Sequence, residues 1–409
     1  MERTIVGIDV GTTKICALIG EATESGALRV VGMGEVASRG LNKGVVVNVQ
    51  EATQAIAEAL RQAEQFSGYA IERAWVGVAG PHISSMNCRG LVAVSNGRKG
   101  ITQEDIDRAV RAAKAMAPIP HTQDIIHAVP RSFIVDGQDG IRDPRGMQGF
   151  RLEVEAHIVT GASTSINNLL RCVQGAEVGV DGLVLQALAS GEAVLTSHER
   201  DSGVVLADIG GGTTDIGVFI NGSICHTTVL PVAGNHLTND LAVGLCAPFA
   251  TAEEVKRRFG HVSRAEIPED ETIEVAVFGE SKRQPIARTL VAEILEARAE
   301  EILSLIMREI KRSGYDGLLP AGLVLCGGTA NLGGLRELGR SVLGLPTRVG
   351  KPRGIEGLVE KISDPAYATS VGLLQWALNA AKEAPPPKQQ RSDGFMGKIV
   401  KWLGTFLPE

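Results

Sequence analysis

The sequence predicts an α/β protein built from two related halves that face each other across a cleft. A strand, a glycine–threonine turn and a second strand occur twice, and the same order of elements follows each turn. The 409 residues also exceed what one hydrophobic core usually serves, so two or more domains are expected. Apolar residues make up 44% and charged residues 22%, which is typical of a folded globular chain.

The first half begins with "RTIVGIDVGTTKICALIGEA", which we interpret as strand, turn and strand. A third strand, "LRVVGMGEV", a helix, "VQEATQAIAEALRQAEQF", and a buried strand, "RAWVGVAG", follow. The second half repeats this order with "SGVVLADIGGGTTDIGVFING", "SICHTTVLPV" and the helix "NHLTNDLAVGL". The turns align as "IDVG--TTKI" and "ADIGGGTTDI", which places Asp9 and Asp208 at equivalent positions. An internal repeat of this length predicts two related domains around a cleft.

Two segments interrupt the repeat. The first carries a short helix, "TQEDIDRAVRAAKAM", and strand-like runs, which predicts a small inserted α+β unit. The second carries "TAEEVKRRFG" and a long helix from about Pro285 to Arg312. The predicted first core subdomain comprises 1–84 and 156–200, with the insert at 85–155 between them. The predicted second core subdomain comprises 201–244 and 313–381, with a further subdomain at 245–312 between them. A linker at 382–393 and a terminal helix at 394–409 are predicted to follow.

Composition argues against several classes of function. A net charge of −6 and 4% aromatic residues do not suit nucleic acid, which needs a cationic surface or stacking rings. The six cysteines are far apart and the eight histidines lack metal-ligand spacing, so we expect reduced thiols in a cytoplasmic protein without a signal peptide. No apolar stretch reaches 18 residues, so no helix is expected to span a membrane.

The two glycine-rich turns predict an anion site. Their backbone N–H groups are unobstructed by side chains, which suits phosphate, and Thr12, Thr13, Thr213 and Thr214 add hydroxyl donors. Asp9 and Asp208 end the strands that lead into the turns. Facing carboxylates beside a polyphosphate suit Mg²⁺, and a matched pair of turns is better evidence than one turn alone.

Two further motifs fit a nucleotide less specifically. In "LVLCGGTANLGGL" a buried strand leads into Gly327, Gly328 and Thr329, with a helix expected from near Asn331. Such bare backbone admits a flat ring such as adenine, although an ordinary strand-to-helix loop has the same pattern. Glu253 and Lys256 share one helix face, where a solvated charge pair is the alternative.

Taken in order, "IDVGTTKI", "LQALASGEAVL", "ADIGGGTTDIGV", "LCGGTANLGGL" and "SDPAYATSVGLL" resemble the actin/Hsp70/sugar-kinase superfamily over residues 1 to about 380. The resemblance implies an actin-like α/β fold of duplicated ribonuclease-H-like domains with ATP in the cleft. It implies that Asp9 and Asp208 hold Mg²⁺ through water and that Glu253 and Lys256 meet the ribose and adenine. The remaining implied contacts are Gly11, Thr12, Thr13, Lys14, Gly210, Gly211, Gly212, Thr213 and Thr214 for the phosphates and Gly327, Gly328 and Thr329 for the base.

Within that superfamily the chain is similar to the FtsA family of bacterial division proteins. The similarity rests on the place of the insert, on "GPHISSMNCRG" and "TQEDIDRAVRAAK", and on the end of the chain. It implies a polymer that binds the C-terminal peptide of FtsZ through 245–312 and anchors FtsZ at the cytoplasmic face of the inner membrane. Arg288 is among the basic residues expected to meet that peptide. The insert is the expected site for later division proteins.

The sequence offers one candidate residue for hydrolysis. A water-positioning residue is needed, and Gln186 in "VLQALASGEAVL" stands near that place, although a buried helix-packing amide fits equally well. Slow turnover is therefore expected. A pilus-assembly relative, an Hsp70-like chaperone and a sugar kinase are the alternatives within the fold. The chaperone would need a following β-rich domain, the kinase a catalytic aspartate, and the pilus relative should lack the terminal segment.

The chain ends with "GFMGKIVKWLGTFLPE", whose apolar side chains fall within one arc of roughly 160° on a helical wheel. Such a helix would be about 20 Å long, too short for a hydrocarbon core of about 30 Å. It suits the membrane interface, with Lys398 and Lys401 toward anionic headgroups. A helix docked on its own domain is the alternative, which the Pro-rich linker disfavours. The apolar residues are Phe395, Met396, Ile399, Val400, Trp402, Leu403, Phe406 and Leu407.

Overall fold

The computed structural model describes residues 4–23 and 27–383. The predicted terminal helix at 394–409 lies outside the described residues, as does the linker from residue 384 onward. Within the described ranges the chain forms nineteen strands and eleven α-helices. Most of the strands belong to three sheets of six, five and four strands.

The strands are β1 (Thr4–Val10), β2 (Lys14–Ala22), β3 (Leu28–Ala37), β4 (Leu41–Asn42), β5 (Val45–Val46), β6 (Arg73–Val78), β7 (Ile83–Ala93), β8 (Gln123–Val135), β9 (Gln138–Ile141), β10 (Arg151–Ala162), β11 (Gly179–Leu185), β12 (Val204–Ile209), β13 (Thr214–Ile220), β14 (Ser223–Leu230), β15 (Thr272–Val275), β16 (Gln284–Ala287), β17 (Leu323–Cys326), β18 (Thr347–Val349) and β19 (Ile355–Gly357). The helices are α1 (Val49–Ser67), α2 (Gln103–Met116), α3 (Ser163–Gly175), α4 (Gln186–Val194), α5 (Ser197–Ser202), α6 (Gly234–Gly244), α7 (Phe249–Phe259), α8 (Arg288–Ser313), α9 (Leu335–Leu343), α10 (Val359–Ile362) and α11 (Ala368–Glu383).

The internal repeat predicted from the two turns is confirmed. The first sheet has the order β11-β6-β1-β2-β3-β19 and the second has the order β14-β13-β12-β17-β18. In each sheet an antiparallel hairpin is extended by parallel strands, with Asp9 opposite Cys16 in one hairpin and Asp208 opposite Asp215 in the other. Both Asp9 and Asp208 are the last residue but one of their strands, so the two halves present a carboxylate at the same place.

The insert forms a separate layer in which a four-stranded sheet, β7-β10-β8-β9, packs against α2. Thr102 caps α2 in a reciprocal capping box with Asp105, because its side chain accepts from the Asp105 N–H and the Asp105 carboxylate accepts from the Thr102 N–H. We call residues 83–162 the inserted unit below. The subdomain division predicted from the sequence stays a prediction.

Two helix starts differ from the sequence predictions. The long helix α8 begins at Arg288 rather than near Pro285, because residues 284–287 form strand β16 against β15. Proline lacks an N–H and suits such a two-stranded ribbon, where one side of each strand is unpaired. Helix α9 begins at Leu335 rather than near Asn331, because residues 328–331 form one 3₁₀ turn and Gly334 takes a left-handed conformation with φ of 80°.

Helices α4 and α11 cross between the two halves. Helix α11 packs on α4, β1 and β2, and β19 pairs with β3 of the first sheet, although the sequence division had placed residues 313–381 with the second half. At the crossing, a Cβ added to Gly372 would lie 1.8 Å from the carbonyl oxygen of Ala189. Glycine is therefore required for this close approach.

Among residues 4–23 and 27–383, no helix combines the length and the apolar character needed to cross a membrane.

The crossing predicts the effect of one substitution. Gly372→Ala places a methyl group against the backbone of Ala189, so we expect the protein to lose roughly 2 kcal/mol or more of unfolding free energy, despite alanine's better helix propensity. Gly317→Ala is the matched control, because nothing lies within 4 Å of its added Cβ. A circular-dichroism melt compares the two variants. Equal melting temperatures would show that α11 can move away from α4 without cost.

Candidate functional site

The floor of the cleft holds Asp9, whose side chain is 8% exposed. Its two carboxylate oxygens accept hydrogen bonds from two elements that belong to different parts of the chain. The Gln186 amide at the start of α4 donates to Oδ1 at 3.0 Å, and the Ser370 hydroxyl on α11 donates to Oδ2 at 3.0 Å. The crossing helices therefore aim the first carboxylate into the cleft.

Asp208 is held in the same way on the other side of the floor, with 7% exposure. Its Oδ2 accepts from the Ser190 hydroxyl on α4 and from the Thr369 hydroxyl on α11, the latter at 2.9 Å. The two hydroxyls also lie 2.9 Å apart. Helices α4 and α11 thus provide side-chain donors to both aspartates.

A third carboxylate, Asp215, faces the same space and was missed by the sequence reasoning. It lies opposite Asp208 in the hairpin and is 2% exposed. The Thr213 hydroxyl donates to its Oδ2 at 3.1 Å, whereas its Oδ1 is buried without a hydrogen-bond partner. The available signal was an acidic residue inside the otherwise apolar run "TDIGVFI", since a buried charge in a strand usually has a functional reason.

Burial dominates the electrostatics of the floor. Burial is the main reason that the pKa of Asp9 is raised to about 6, with the Lys14 ammonium acting to lower it and the nearby Asp208 acting to raise it. Burial also raises the pKa of Asp208, and it raises that of Asp215 well above the usual range, with Asp208 adding to the effect. Three mutually repelling carboxylates in low dielectric create a site that favours added positive charge.

The predicted residues converge on one cavity of about 960 Å³. Predicted residues that line it are Asp9, Gly11, Thr12, Thr13, Lys14, Gln186, Asp208, Gly210, Gly211, Gly212, Thr213, Glu253, Lys256, Gly327, Gly328 and Thr329. Thr214 is the exception, because its hydroxyl, a predicted phosphate donor, does not line the cavity. Its side chain is fully buried in β13 and donates to the carbonyl of Val232 at 2.7 Å, because alternation along a strand turns it away from the cleft.

The two turns lie against each other across the cleft. A Cβ added to Gly211 would meet the Thr13 hydroxyl at 1.8 Å, and one added to Gly212 would meet the Thr12 hydroxyl at 2.6 Å. The Thr12 hydroxyl accepts from the backbone N–H of Gly44 at 3.0 Å. Any side chain at these glycines would fill the space where the turns present their backbones.

Lys14 extends from the first turn into a small cluster that the sequence did not indicate. Its ammonium lies 3.1 Å from the Glu35 carboxylate and 3.3 Å from the centroid of the Tyr367 ring. The Tyr367 hydroxyl bonds to Glu35 and helps to lower the pKa of that carboxyl. An incoming anion at the turns would therefore compete with Glu35 for the Lys14 ammonium.

The strand-to-turn segment after β17 is tied to the second turn. The Thr329 hydroxyl donates to the carbonyl of Gly210 at 2.9 Å. Gly327 has a φ of 82°, and a Cβ there would lie 2.4 Å from Asp208 Oδ1. This contact explains why glycine stands beside the buried carboxylate.

Glu253 and Lys256 lie on α7 at the rim of the cavity. Their side chains form an ion pair of 2.6 Å, with the Lys256 side chain only 11% exposed. Lys256 also donates to the Gly234 carbonyl at 3.1 Å and to the Thr238 hydroxyl at 2.8 Å, and burial lowers its pKa. The alternative of a solvated charge pair is therefore wrong.

No group of three or more His, Cys, Asp or Glu side chains in the described part of the chain is placed to hold a metal ion directly. The acidic floor with the orphan oxygen of Asp215 nevertheless suits a cation that keeps its own water shell, as Mg²⁺ commonly does. The predicted membrane residues, Phe395 to Leu407 with both lysines, lie outside the described residues.

Two family models match the chain. One is described as "Cell division protein FtsA" and matches residues 205–372, and the other is described as "SHS2 domain inserted in FTSA" and matches residues 80–160. The second match falls on the inserted unit.

Solved structures of other proteins share the fold. A PilM–PilN type IV pilus biogenesis complex aligns with a TM-score of 0.67 at 17% identity, covering 91% of this chain and 98% of that chain. MreB5 of Spiroplasma citri bound to ADP aligns with a TM-score of 0.53 at 15% identity, covering 93% and 99%. At these identities the likeness shows the actin-like fold alone.

Curated relatives cover nearly the whole chain. The cell division protein FtsA of Pseudomonas aeruginosa is 42% identical over 393 residues, covering 96% of this chain and 91% of that protein. FtsA of Bacillus subtilis is 41% identical, covering 92% and 84%, and FtsA of Escherichia coli K12 is 33% identical, covering 99% and 97%. Because identity above 30% extends over almost the full length, this chain belongs to the FtsA family of cell division proteins.

Proposed function

We propose that this chain is an ATP-binding, polymer-forming division protein that tethers FtsZ filaments to the cytoplasmic face of the inner membrane and helps to recruit later division proteins. The observation that carries the nucleotide part is the pair of matched turns, each preceded by a buried aspartate, across one cavity of about 960 Å³. MreB5 structures of the same fold bound to ADP and to AMPPNP support it. The FtsA relatives favour this proposal over the pilus, chaperone and kinase alternatives.

In this proposal, different residues of the cleft bind the phosphates, the ribose and the base of the nucleotide. The backbones of both turns, with Thr12, Thr13 and Thr213, bind the phosphates, and Lys14 leaves Glu35 to meet them. The helix α7 pair and residues 327–329 flank the ribose and base. Asp9 and Asp208 would hold Mg²⁺ through water, and the ion would supply positive charge for the phosphates.

Gln186 remains the candidate for positioning a hydrolytic water. Its amide N–H donates to Asp9, which orients the side chain at the edge of the cavity. The same bond also fits a purely structural amide. Because Gln186 carries a neutral amide, which can orient a water but cannot take its proton, we propose slow hydrolysis, in which binding rather than turnover is the main role of ATP.

We place the FtsZ peptide on 245–312 and its rim, where large apolar side chains are exposed. Val243 is 78% exposed, Phe249 is 45% and Phe278 is 68%, and the Phe278 N–H bonds the carbonyl of Cys246 beside them. Exposed apolar anchors suit a short peptide. Arg288 is a poor contact, because its guanidinium is already paired with Glu271 at 2.8 Å. The expectation that Arg288 meets the peptide stays a prediction, and it requires this ion pair to open.

The first prediction of this proposal concerns Asp208. Asp208→Ala removes a buried carboxylate and leaves the Ser190 and Thr369 hydroxyls without their acceptor, so Mg·ATP binding should weaken by about 2–4 kcal/mol. Titration with a fluorescent ATP analogue measures this change. Asp181→Ala is the control, because Asp181 pairs with Arg73 on an exposed face away from the cavity. Unchanged affinity of the Asp208 variant would mean that the cleft is not organised around this carboxylate.

The second prediction concerns the cost of a buried charge. The pKa of Asp9 is raised from its ordinary value of 3.8 to about 6. The stability contributed by its protonation is therefore fully present below pH 3.8 and is lost as the pH rises through about 6. At higher pH the ionised carboxylate costs the ligand-free fold up to about 3 kcal/mol. Asp9→Asn should therefore melt above the parent at neutral pH.

The difference between the Asp9→Asn variant and the parent should shrink near pH 5, where the parent side chain is mostly protonated. Thermal melts of the ligand-free proteins at both pH values test this, with Asp181→Asn as the exposed control. A variant that melts below the parent at neutral pH would show that the hydrogen bonds from Gln186 and Ser370 outweigh the burial of charge.

The third prediction concerns the membrane. Partial burial of the eight apolar tail residues yields roughly 1 kcal/mol each, and each lysine adds about 1 kcal/mol on anionic lipid, but ordering the helix offsets much of this. One tail should therefore bind weakly, and several tails in a polymer should bind firmly. Trp402→Glu or Leu403→Glu should release the protein from anionic vesicles without lowering its melting temperature.

Co-sedimentation with anionic vesicles in the presence of FtsZ separates the two parts of the tether. The parent should bring FtsZ into the pellet, Trp402→Glu should leave both proteins in the supernatant, and Phe278→Ser should remain on vesicles without FtsZ. A Trp402→Glu protein that stays on vesicles, or that melts well below the parent, would identify the tail as a docked structural helix.

A further inference from the structure

The ring of His127 on β8 joins the inserted unit to the helices beneath the cleft. Its register partner on β10 is Val159, which in turn lies opposite Ser85 on β7. This row of side chains faces the two cores, whereas α2 covers the other face of the sheet. His127 therefore faces the first half beside the cleft.

The Nε2 atom of His127 accepts a hydrogen bond of 3.0 Å from the backbone N–H of Leu185. Leu185 ends β11 and caps α4, and it is fully buried. The next residue is Gln186, whose amide donates to Asp9. The bond from His127 thus fixes the backbone directly before the side chain that orients the first carboxylate.

The same ring also contacts α11. It meets the Trp376 indole edge to face, with centroids 5.3 Å apart and planes at 63°. Helix α11 carries Thr369 and Ser370, the donors to the two aspartates. One histidine of the inserted unit therefore touches both helices that position the floor of the cleft.

The protonation state of His127 matches this acceptor role. Burial lowers its pKa to about 4, so the ring is neutral under physiological conditions. Since Nε2 accepts the Leu185 N–H, the ring proton is on Nδ1. No proton transfer is involved, and the contact is a fixed hydrogen bond.

Separate contacts hold the inserted unit on the second half. The Ser85 hydroxyl donates to the Thr227 carbonyl at 2.8 Å, and the Asn87 amide donates to the Cys225 carbonyl at 3.1 Å. These bonds go to β14, an edge strand that is two strands from Asp208. We expect them to keep the unit docked when His127 is changed, because neither bond touches α4 or α11.

We propose that His127 is a positioning residue for the nucleotide cleft, through which the inserted unit and nucleotide binding influence each other. The proposal rests on the proposed function, namely that the cleft binds Mg·ATP. Consider a partner protein that binds the inserted unit and shifts β8. By thermodynamic reciprocity, the factor by which this partner changes the affinity for nucleotide equals the factor by which nucleotide changes the affinity for the partner. Recruitment of a division partner to this unit would then depend on the state of the cleft.

The test uses His127→Phe and His127→Gln in the full-length protein. Phenylalanine keeps an aromatic ring against Trp376 but leaves the Leu185 N–H without an acceptor, whereas the glutamine amide oxygen can replace Nε2. Asn87→Ala is the matched control, because it weakens docking on β14 without touching either helix. The readouts are affinity for a fluorescent ATP analogue with Mg²⁺, the melting temperature, and amide exchange of peptides covering residues 123–135.

We expect His127→Phe to weaken nucleotide binding by about five- to tenfold, with recovery toward the parent in His127→Gln and a change below about twofold in Asn87→Ala. Nucleotide should also slow amide exchange in β8 of the parent and not of His127→Phe. Equal affinities for the parent and His127→Phe, or equal losses in His127→Phe and Asn87→Ala, would overturn the positioning role. A parent protein that binds no nucleotide would overturn the proposed function and this inference with it.

Discussion

Three acidic side chains are buried at the floor of one cleft, and much of the surrounding structure serves to hold them there. Burial raises the pKa values of Asp9, Asp208 and Asp215, so their ionised forms are costly in the ligand-free protein. Four side-chain donors from α4 and α11 partly compensate the first two. Those helices can supply the donors only because Gly372 lets them cross in backbone contact. The site is thus prepared for a cation at the expense of stability.

The sequence predicted the parts of the fold that depend on local pattern. Repeated strand–turn–strand motifs, helical periodicity in α1 and the strand before Gly327 all appear where expected, because hydrophobic alternation and glycine turns are local signals. Helix starts were less predictable. Pro285 belongs to a strand because residues 284–287 pair with β15, and residues 328–331 form a 3₁₀ turn. A short window of sequence does not reveal either feature, because both depend on contacts with distant parts of the chain.

The site residues differ in the same way, because some lie within one local motif and others come together only in the folded chain. The glycines and aspartates at the turns could be predicted because the motif places them next to one another. Glu35, Tyr367 and Thr369 could not, because they come from β3, from the segment leading into α11 and from α11 itself, far apart in sequence from the turn that carries Lys14. Thr214 lies outside the cavity for a simple reason, since period-two alternation places Thr213 in the cleft and its neighbour in the core.

Helix α11 joins the chemistry of the cleft to the part of the chain that carries the tail. Its first turn donates to both aspartates, its middle packs on His127, and its last residue precedes the Pro-rich segment that begins at 384. The composition of this charged, Pro-rich segment predicts a linker between the cleft and the tail. Under the proposed function, the nucleotide therefore acts on membrane attachment through the number of chains assembled together, and the tail needs no conformational signal of its own.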